Sequence, residues 1–142
     1  MFALLTRTAA RSSAVARRHL TKYSKDHEWV KIDQGVGTVG ITDYAQSSLG
    51  DIVYVEVPQV GTEATPDEPV GVVESVKSTS DIYSPLSGTI LEANQAVVTT
   101  TKLLNRAPET DGWLFKVKIS DPAEIDELLD LAAYKKLTEE GH

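Results

Sequence analysis

Cysteine is absent from the 142 residues, which excludes disulfides, thiolate nucleophiles and zinc sites built on sulfur. Histidine is nearly so: His19 lies in a basic N-terminal stretch and His142 is terminal, leaving His27 alone in the body of the chain. One imidazole is too little for a His-based metal cluster. Nowhere do eighteen apolar residues run together, so no membrane-spanning helix is expected. Basic residues are scarce beyond residue 25, where eight Lys and Arg face all 21 Asp and Glu. Such an acidic field repels nucleic-acid phosphates and anionic lipid surfaces, and it favours basic protein partners. No nucleophile with an adjacent base and no phosphate-binding loop is visible, which argues against an autonomous enzyme.

Acids are missing in turn from residues 1–25, which carry Arg7, Arg11, Arg17, Arg18, Lys22 and Lys25. The opening MFALLTRTAARSSAVARRHL has the Arg-, Ser- and Ala-rich composition of a mitochondrial transit peptide. On a helix, Phe2, Leu5 and Ala9 would line one side, and Arg7, Arg11 and Arg18 another. We expect residues 1–20 to be such a leader, cut near Thr21, and residues 21–142 to form one domain. A basic tail without structure is the alternative on composition alone.

The body reads as short strands between turn signals. Trp29 to Ile32 and Val36 to Ile41 suggest a hairpin about Gly35 and Gly37. Thr42 or Asp43 could cap a short helix through Leu49, closed by Gly50. Strands are expected over Ile52 to Val57, Val70 to Val76, Ser78 to Tyr83, Thr89 to Glu92 and residues 113–119. Asp121, Pro122 and Glu124 form a capping box ahead of Ile125, Leu128, Leu129 and Leu131, so a C-terminal helix is expected there. Many short strands and few helices imply a mainly β fold, a small sandwich or flattened barrel with short helices outside.

Lys77 stands out by its setting in GVVESVKSTSDIYSP: from Pro58 to Thr101 it is the only basic side chain. A lone lysine at a hairpin tip is ordinarily a solvated charge. The tip nonetheless offers a rigid pedestal that a modifying enzyme can reach, and amide formation there would create a long tether.

At this point the chain resembles the H proteins of the glycine cleavage system. The likeness spans residues 23–137 and rests on HEWV at 27–30, VGITDYAQ at 39–46, LGDIVYVEVP at 49–58, VESVKSTSDIYSPLSG at 73–88 and GWLFKVKISDPAEIDELL at 112–129. It implies a lipoyl-domain-like flattened barrel, a barrel-sandwich hybrid, with lipoate bound as an amide to Lys77. It also implies supporting roles for Glu74, which can mark the strand for lipoyl-attaching enzymes, and for Gly61 and Gly88, which allow tight turns. Glu28, Ser80 and Asp81 would line an acidic cleft for the labile, cationic aminomethyl group.

The implied partners are a pyridoxal-phosphate glycine decarboxylase (P protein), a folate-dependent aminomethyltransferase (T protein) and the flavoenzyme dihydrolipoyl dehydrogenase (L protein). The carrier would catalyse nothing itself, would bind no metal, and would work in the mitochondrial matrix. Its sulfurs would be those of lipoate, which suits a chain without cysteine. Two departures stand in one loop: Glu109 replaces a usual aromatic, and VVTTTKLL at 97–104 lacks a usual proline. Trp29 and Trp113 read as core or interface aromatics.

Biotin carriers share such hairpins, but their lysine usually sits between methionines, whereas Val76 and Ser78 flank Lys77. Lipoyl domains of 2-oxo acid dehydrogenases usually carry Asp before the lysine and Pro- and Ala-rich linkers, and neither feature is present. An unmodified acidic scaffold is the remaining alternative of a different class.

Overall fold

The computed structural model describes residues 20–140; the expected leader therefore lies, up to residue 19, outside the described residues. Among the described residues nine strands form two antiparallel sheets. The larger has the order β1 (Leu20–Tyr23), β2 (Glu28–Asp33), β3 (Val36–Ile41), β9 (Phe115–Ile119), β8 (Gly88–Ala93), β5 (Glu63–Ala64); the smaller has β4 (Ile52–Glu56), β6 (Pro69–Ser75), β7 (Thr79–Tyr83). This is the mainly β layered architecture that the strand pattern predicts.

The core lies between the sheets. Val30, Val39, Val55, Val73, Ile90, Phe115 and Val117 are buried there at successive inward positions. A smaller cluster on the other side of the large sheet holds Tyr23, Trp29 and Tyr134. Trp29 is buried and donates its indole N–H to the Pro108 carbonyl at 3.0 Å, and Trp113 packs partly buried against this cluster.

The first hairpin and its helix follow the sequence closely. Thr42 is the N-cap of α1 (Asp43–Leu49), its hydroxyl accepting from the Ala45 N–H, and Gly50 ends the helix at φ +84°. Two further short helices, α2 (Gln95–Thr99) and α3 (Leu103–Arg106), occupy the loop that lacks the usual proline. Glu109 also has a use: its carboxylate accepts the Asp43 N–H at 2.9 Å, where α1 begins and negative charge is favoured.

Three features depart from the sequence expectations. Strand β1 is not among the expected strands; its ladder runs from Leu20 opposite Ile32 to Tyr23 opposite Trp29. Strand β4 loses simple alternation at a bulge between Ile52 and Tyr54, so that Val53 and Tyr54 are both exposed. The expected helix after Asp121 is a 3-10 turn over Pro122–Glu127, and helix α4 begins only at Leu131 (Leu131–Glu140).

The cause of the third lies in the partners. Asp121 does cap, accepting the Ala123 N–H, but Glu124 turns to Ser87 instead of back to the cap, taking its N–H at 2.7 Å and its hydroxyl at 2.8 Å. Leu129 is drawn into a two-bond antiparallel bridge with Tyr23, which keeps the chain extended before α4. Tertiary pairing has overridden a sound local helix signal.

Candidate functional site

Lys77 sits at the turn joining β6 to β7. The Ser75 N–H donates to the Ser78 carbonyl at 2.8 Å, and the Ser75 hydroxyl oxygen accepts from the N–H groups of Lys77 and Ser78, each at 3.1 Å. These bonds are local side-chain closures of the kind serine favours. They fix the turn while leaving the lysine side chain exposed, and Lys77 makes no ion pair among the described residues.

A second set of bonds holds the turn to the rest of the molecule. The Val76 N–H donates to the Asp51 carbonyl at 3.0 Å. Asp51 lies in a segment gripped by Asn105, whose side-chain oxygen accepts the Ile52 N–H while its NH2 donates to the Gly50 carbonyl and to Gln46. Thr101 donates to the Ile52 carbonyl, and Lys102 pairs with Asp51 at 3.2 Å. Sequence reasoning missed this brace, because it is built from a loop with no motif of its own.

Glu74 stands beside the turn on the outer face of the small sheet, opposite Tyr54 on β4 and Thr79 on β7. Gly61 and Gly88 are elsewhere, together at the β5–β8 corner: the Gly61 N–H donates to the Ile90 carbonyl, and Gly88 pairs with Ala64. Gly61, at φ +93°, has open space around it, so its backbone conformation is what favours glycine. At Gly88 the reason is contact: any Cβ would collide with the Lys118 carbonyl oxygen of β9. Both residues frame the large sheet, away from the lysine turn.

Glu28 occupies a cleft of about 300 Å³ at the far end of β7, walled by Tyr23, Ser24, Pro66, Tyr83, Glu124 and Leu128. Its side chain is buried at 2 % exposure, accepting from the Tyr83 N–H at 3.0 Å and the Ser24 hydroxyl at 2.9 Å. Burial pushes its carboxyl up to about 7 against the pull of those two bonds, with the nearby Asp26 charge adding a little. A carboxyl poised there releases its proton readily when a cation enters.

Ser80 and Asp81 lie on β7 between the lysine turn and this cleft and do not line it. Asp81 is exposed on the outer face with Tyr83, and Ser80 points the other way, partly buried. Strand β7 spans roughly 13 Å and runs from the turn that carries Lys77 to Tyr83, whose N–H bonds the Glu28 carboxyl. Among the described residues no group of His, Asp and Glu could hold a metal ion, and no helix is long and apolar enough to cross a membrane.

Residues 21–141 match the family described as glycine cleavage H-protein. The glycine cleavage system H protein of Carboxydothermus hydrogenoformans is 52 % identical over 119 residues, covering 84 % of this chain and 92 % of that protein. The mitochondrial glycine cleavage system H protein of Oryza sativa subsp. indica is likewise 52 % identical, covering 84 % of this chain and 73 % of its own length. A crystal structure of a glycine cleavage system H protein from Mycobacterium marinum superposes with a TM-score of 0.77 at 36 % identity, covering 84 % of this chain and 96 % of that one.

Proposed function

This chain belongs to the glycine cleavage H-protein family, and from that membership we propose that it bears lipoate as an amide on the ε-nitrogen of Lys77. Its place as a carrier subunit of the glycine cleavage system follows from the family. The observation that supports the finer reading is that β7 runs between the turn carrying Lys77 and Tyr83, whose N–H bonds the Glu28 carboxylate. An exposed lysine on a turn fixed by Ser75 and braced from Asp51 suits a covalent tether, since its base is rigid and its reach is free.

Lipoate supplies a disulfide that takes up and gives back an aminomethyl unit; the residues of the chain anchor it, guide it and shelter it. Asp81 offers an exposed carboxylate along the route, and Ser80 is a hydrogen-bonding neighbour in the same strand. In the cleft, Glu28 meets a cationic amine in place of its proton, and the surrounding walls keep water away from it. Glu74 identifies the strand to the lipoyl-attaching enzyme. Gly61 and Gly88 serve indirectly, holding the frame on which the cleft is built.

The chain itself is non-catalytic. It visits glycine decarboxylase (P protein), aminomethyltransferase (T protein) and dihydrolipoyl dehydrogenase (L protein), where tethering converts encounters into local ones. Its compartment is the mitochondrial matrix: the acid-free, Arg-rich residues 1–20 support this, as does the mitochondrial rice relative. Intact mass and peptide mapping of the protein from its native mitochondria test the whole reading. A lipoyl amide on the Lys77 peptide with the leader absent supports it; unmodified Lys77 throughout the mature pool overturns it in favour of a scaffold.

A further inference from the structure

The buried hydroxyl of Tyr134, on α4, has no part in the carrier chemistry above, yet it is fastened to the residue next to Glu28. It lies 2.8 Å from His27 Nδ1 and 2.6 Å from the Thr42 hydroxyl, and its ring stacks on Tyr23 with centroids 4.8 Å apart. Thr42 also donates its backbone N–H to the His27 carbonyl. With Thr42 donating to Tyr134 and Tyr134 to a neutral imidazole, every proton is placed. Burial lowers the His27 pKa against the opposing pull of Asp26, which favours that neutral ring.

His27 holds φ at +68°, a left-handed conformation uncommon outside glycine. It closes the turn from β1 to β2: the His27 N–H donates to the Ser24 carbonyl, and the Ser24 N–H to the Glu28 carbonyl. Within that turn the Ser24 hydroxyl oxygen accepts from the Asp26 and Glu28 N–H groups and donates to the Glu28 carboxylate. The turn conformation thus decides where Ser24 meets Glu28. His27 is the one residue of the turn pinned by side-chain contacts from elsewhere, packing on the Tyr44 ring at 4.7 Å as well as on Tyr134.

We propose that Tyr134 is a positioning residue for the cleft, its hydroxyl holding His27 in the left-handed turn that sets Ser24 against the Glu28 carboxylate. The C-terminal helix thereby tunes a site it does not enter. The functional consequence rests on the reading of the cleft given above; the structural link does not. Lys25 and Asp26 from the turn, and Glu124 and Glu127 from the 3-10 segment opposite, also face this space and would be unchanged by altering Tyr134.

Tyr134→Phe keeps the ring on Tyr23 and removes the hydroxyl alone. In unmodified protein, a carbon-detected NMR titration should show Glu28 about threefold weaker as an acid in this variant, its Ser24 bond being loosened, with Asp81 unmoved. In lipoylated protein loaded by the decarboxylase, the variant should lose its aminomethyl group to water several-fold faster. That loss breaks the C–S and C–N bonds, consumes one water and releases formaldehyde and ammonium, leaving the thiol. Lipoyl attachment should keep its wild-type rate. An unmoved Glu28 midpoint overturns the proposal, as does a slow loss in Tyr134→Phe when Glu28→Gln loses the group quickly. If Glu28→Gln itself leaves the loss unchanged, the cleft reading falls, and with it the functional half of the proposal, while the titration still decides the structural half.

Discussion

The aliphatic stem of Lys77 lies over the backbone of Gly50, so close that a Cβ on Gly50 would stand 3.2 Å from the lysine Cε. Gly50 is both the C-cap of α1, at φ +84°, and the floor beneath the Lys77 side chain. Few residues could serve there: the conformation suits glycine, and the space above is taken.

Gly50→Ala should therefore do two things. Backbone strain should destabilise the protein by about 1–2 kcal/mol, and displacement of the lysine stem should slow lipoyl attachment several-fold. Gly35→Ala is the control, since Gly35 has a similar φ of +82° with nothing near its Cβ position. It should lower the melting temperature in thermal denaturation without changing attachment kinetics. Equal attachment rates in the two variants would remove the floor role from Gly50.

Asn105→Ala strips partners from the Ile52 N–H and the Gly50 carbonyl at once. Two backbone groups left short of partners should cost about 2–3 kcal/mol, measured by urea unfolding. The Val76 N–H, bonded to Asp51 in the braced segment, should then exchange with deuterium markedly faster at temperatures where the protein remains folded.

Glu28 makes stability depend on pH in a defined direction. Its carboxyl is raised by burial from 4.5 to about 7, so the folded chain holds this proton more tightly than the unfolded one. The contribution is full below pH 4.5 and is lost as pH rises through 7, amounting to roughly 3 kcal/mol. Glu28→Gln cannot ionise, and its melting temperature should fall less than that of the wild type between pH 5 and 8. Parallel melting curves for the two proteins across that range would contradict the burial effect.

Lys77→Arg keeps the charge and removes the amine that forms the amide. At an exposed turn position it should change stability by less than about 0.5 kcal/mol. Glycine oxidation in the reconstituted system should nevertheless be abolished. Retained oxidation would mean that the chain acts unmodified, as an acidic scaffold.

Much of this molecule is legible in its letters, for reasons that differ by region. Strands β2, β3, β6 and β7 show because β-branched residues run between Gly, Pro and Ser punctuation, and α1 because Thr42 and Gly50 bracket it. Strand β1 hides because Thr21 and Lys22 continue a basic, acid-free stretch whose composition points to targeting. The late start of α4 hides because Glu124 found Ser87 and Leu129 found Tyr23, partners 37 and 106 positions away in sequence. Glu28 could be named only through the HEWV block. Its cleft is assembled from four separate segments, and no local pattern announces Tyr83 or Ser24 as its partners.

The bulge in β4 also bears on how the protein behaves in a concentrated solution. A regular outer strand carrying Val53 at 54 % exposure, with Val76 at 67 % in the β6–β7 turn of the same sheet, would invite a second copy to extend the sheet edge to edge. The bulge between Ile52 and Tyr54 breaks the regularity of that strand, and Asn105 and Thr101 already take the Ile52 N–H and carbonyl. Apolar side chains thus stay exposed near the lysine turn on a strand whose backbone is a poor template for edge-to-edge pairing.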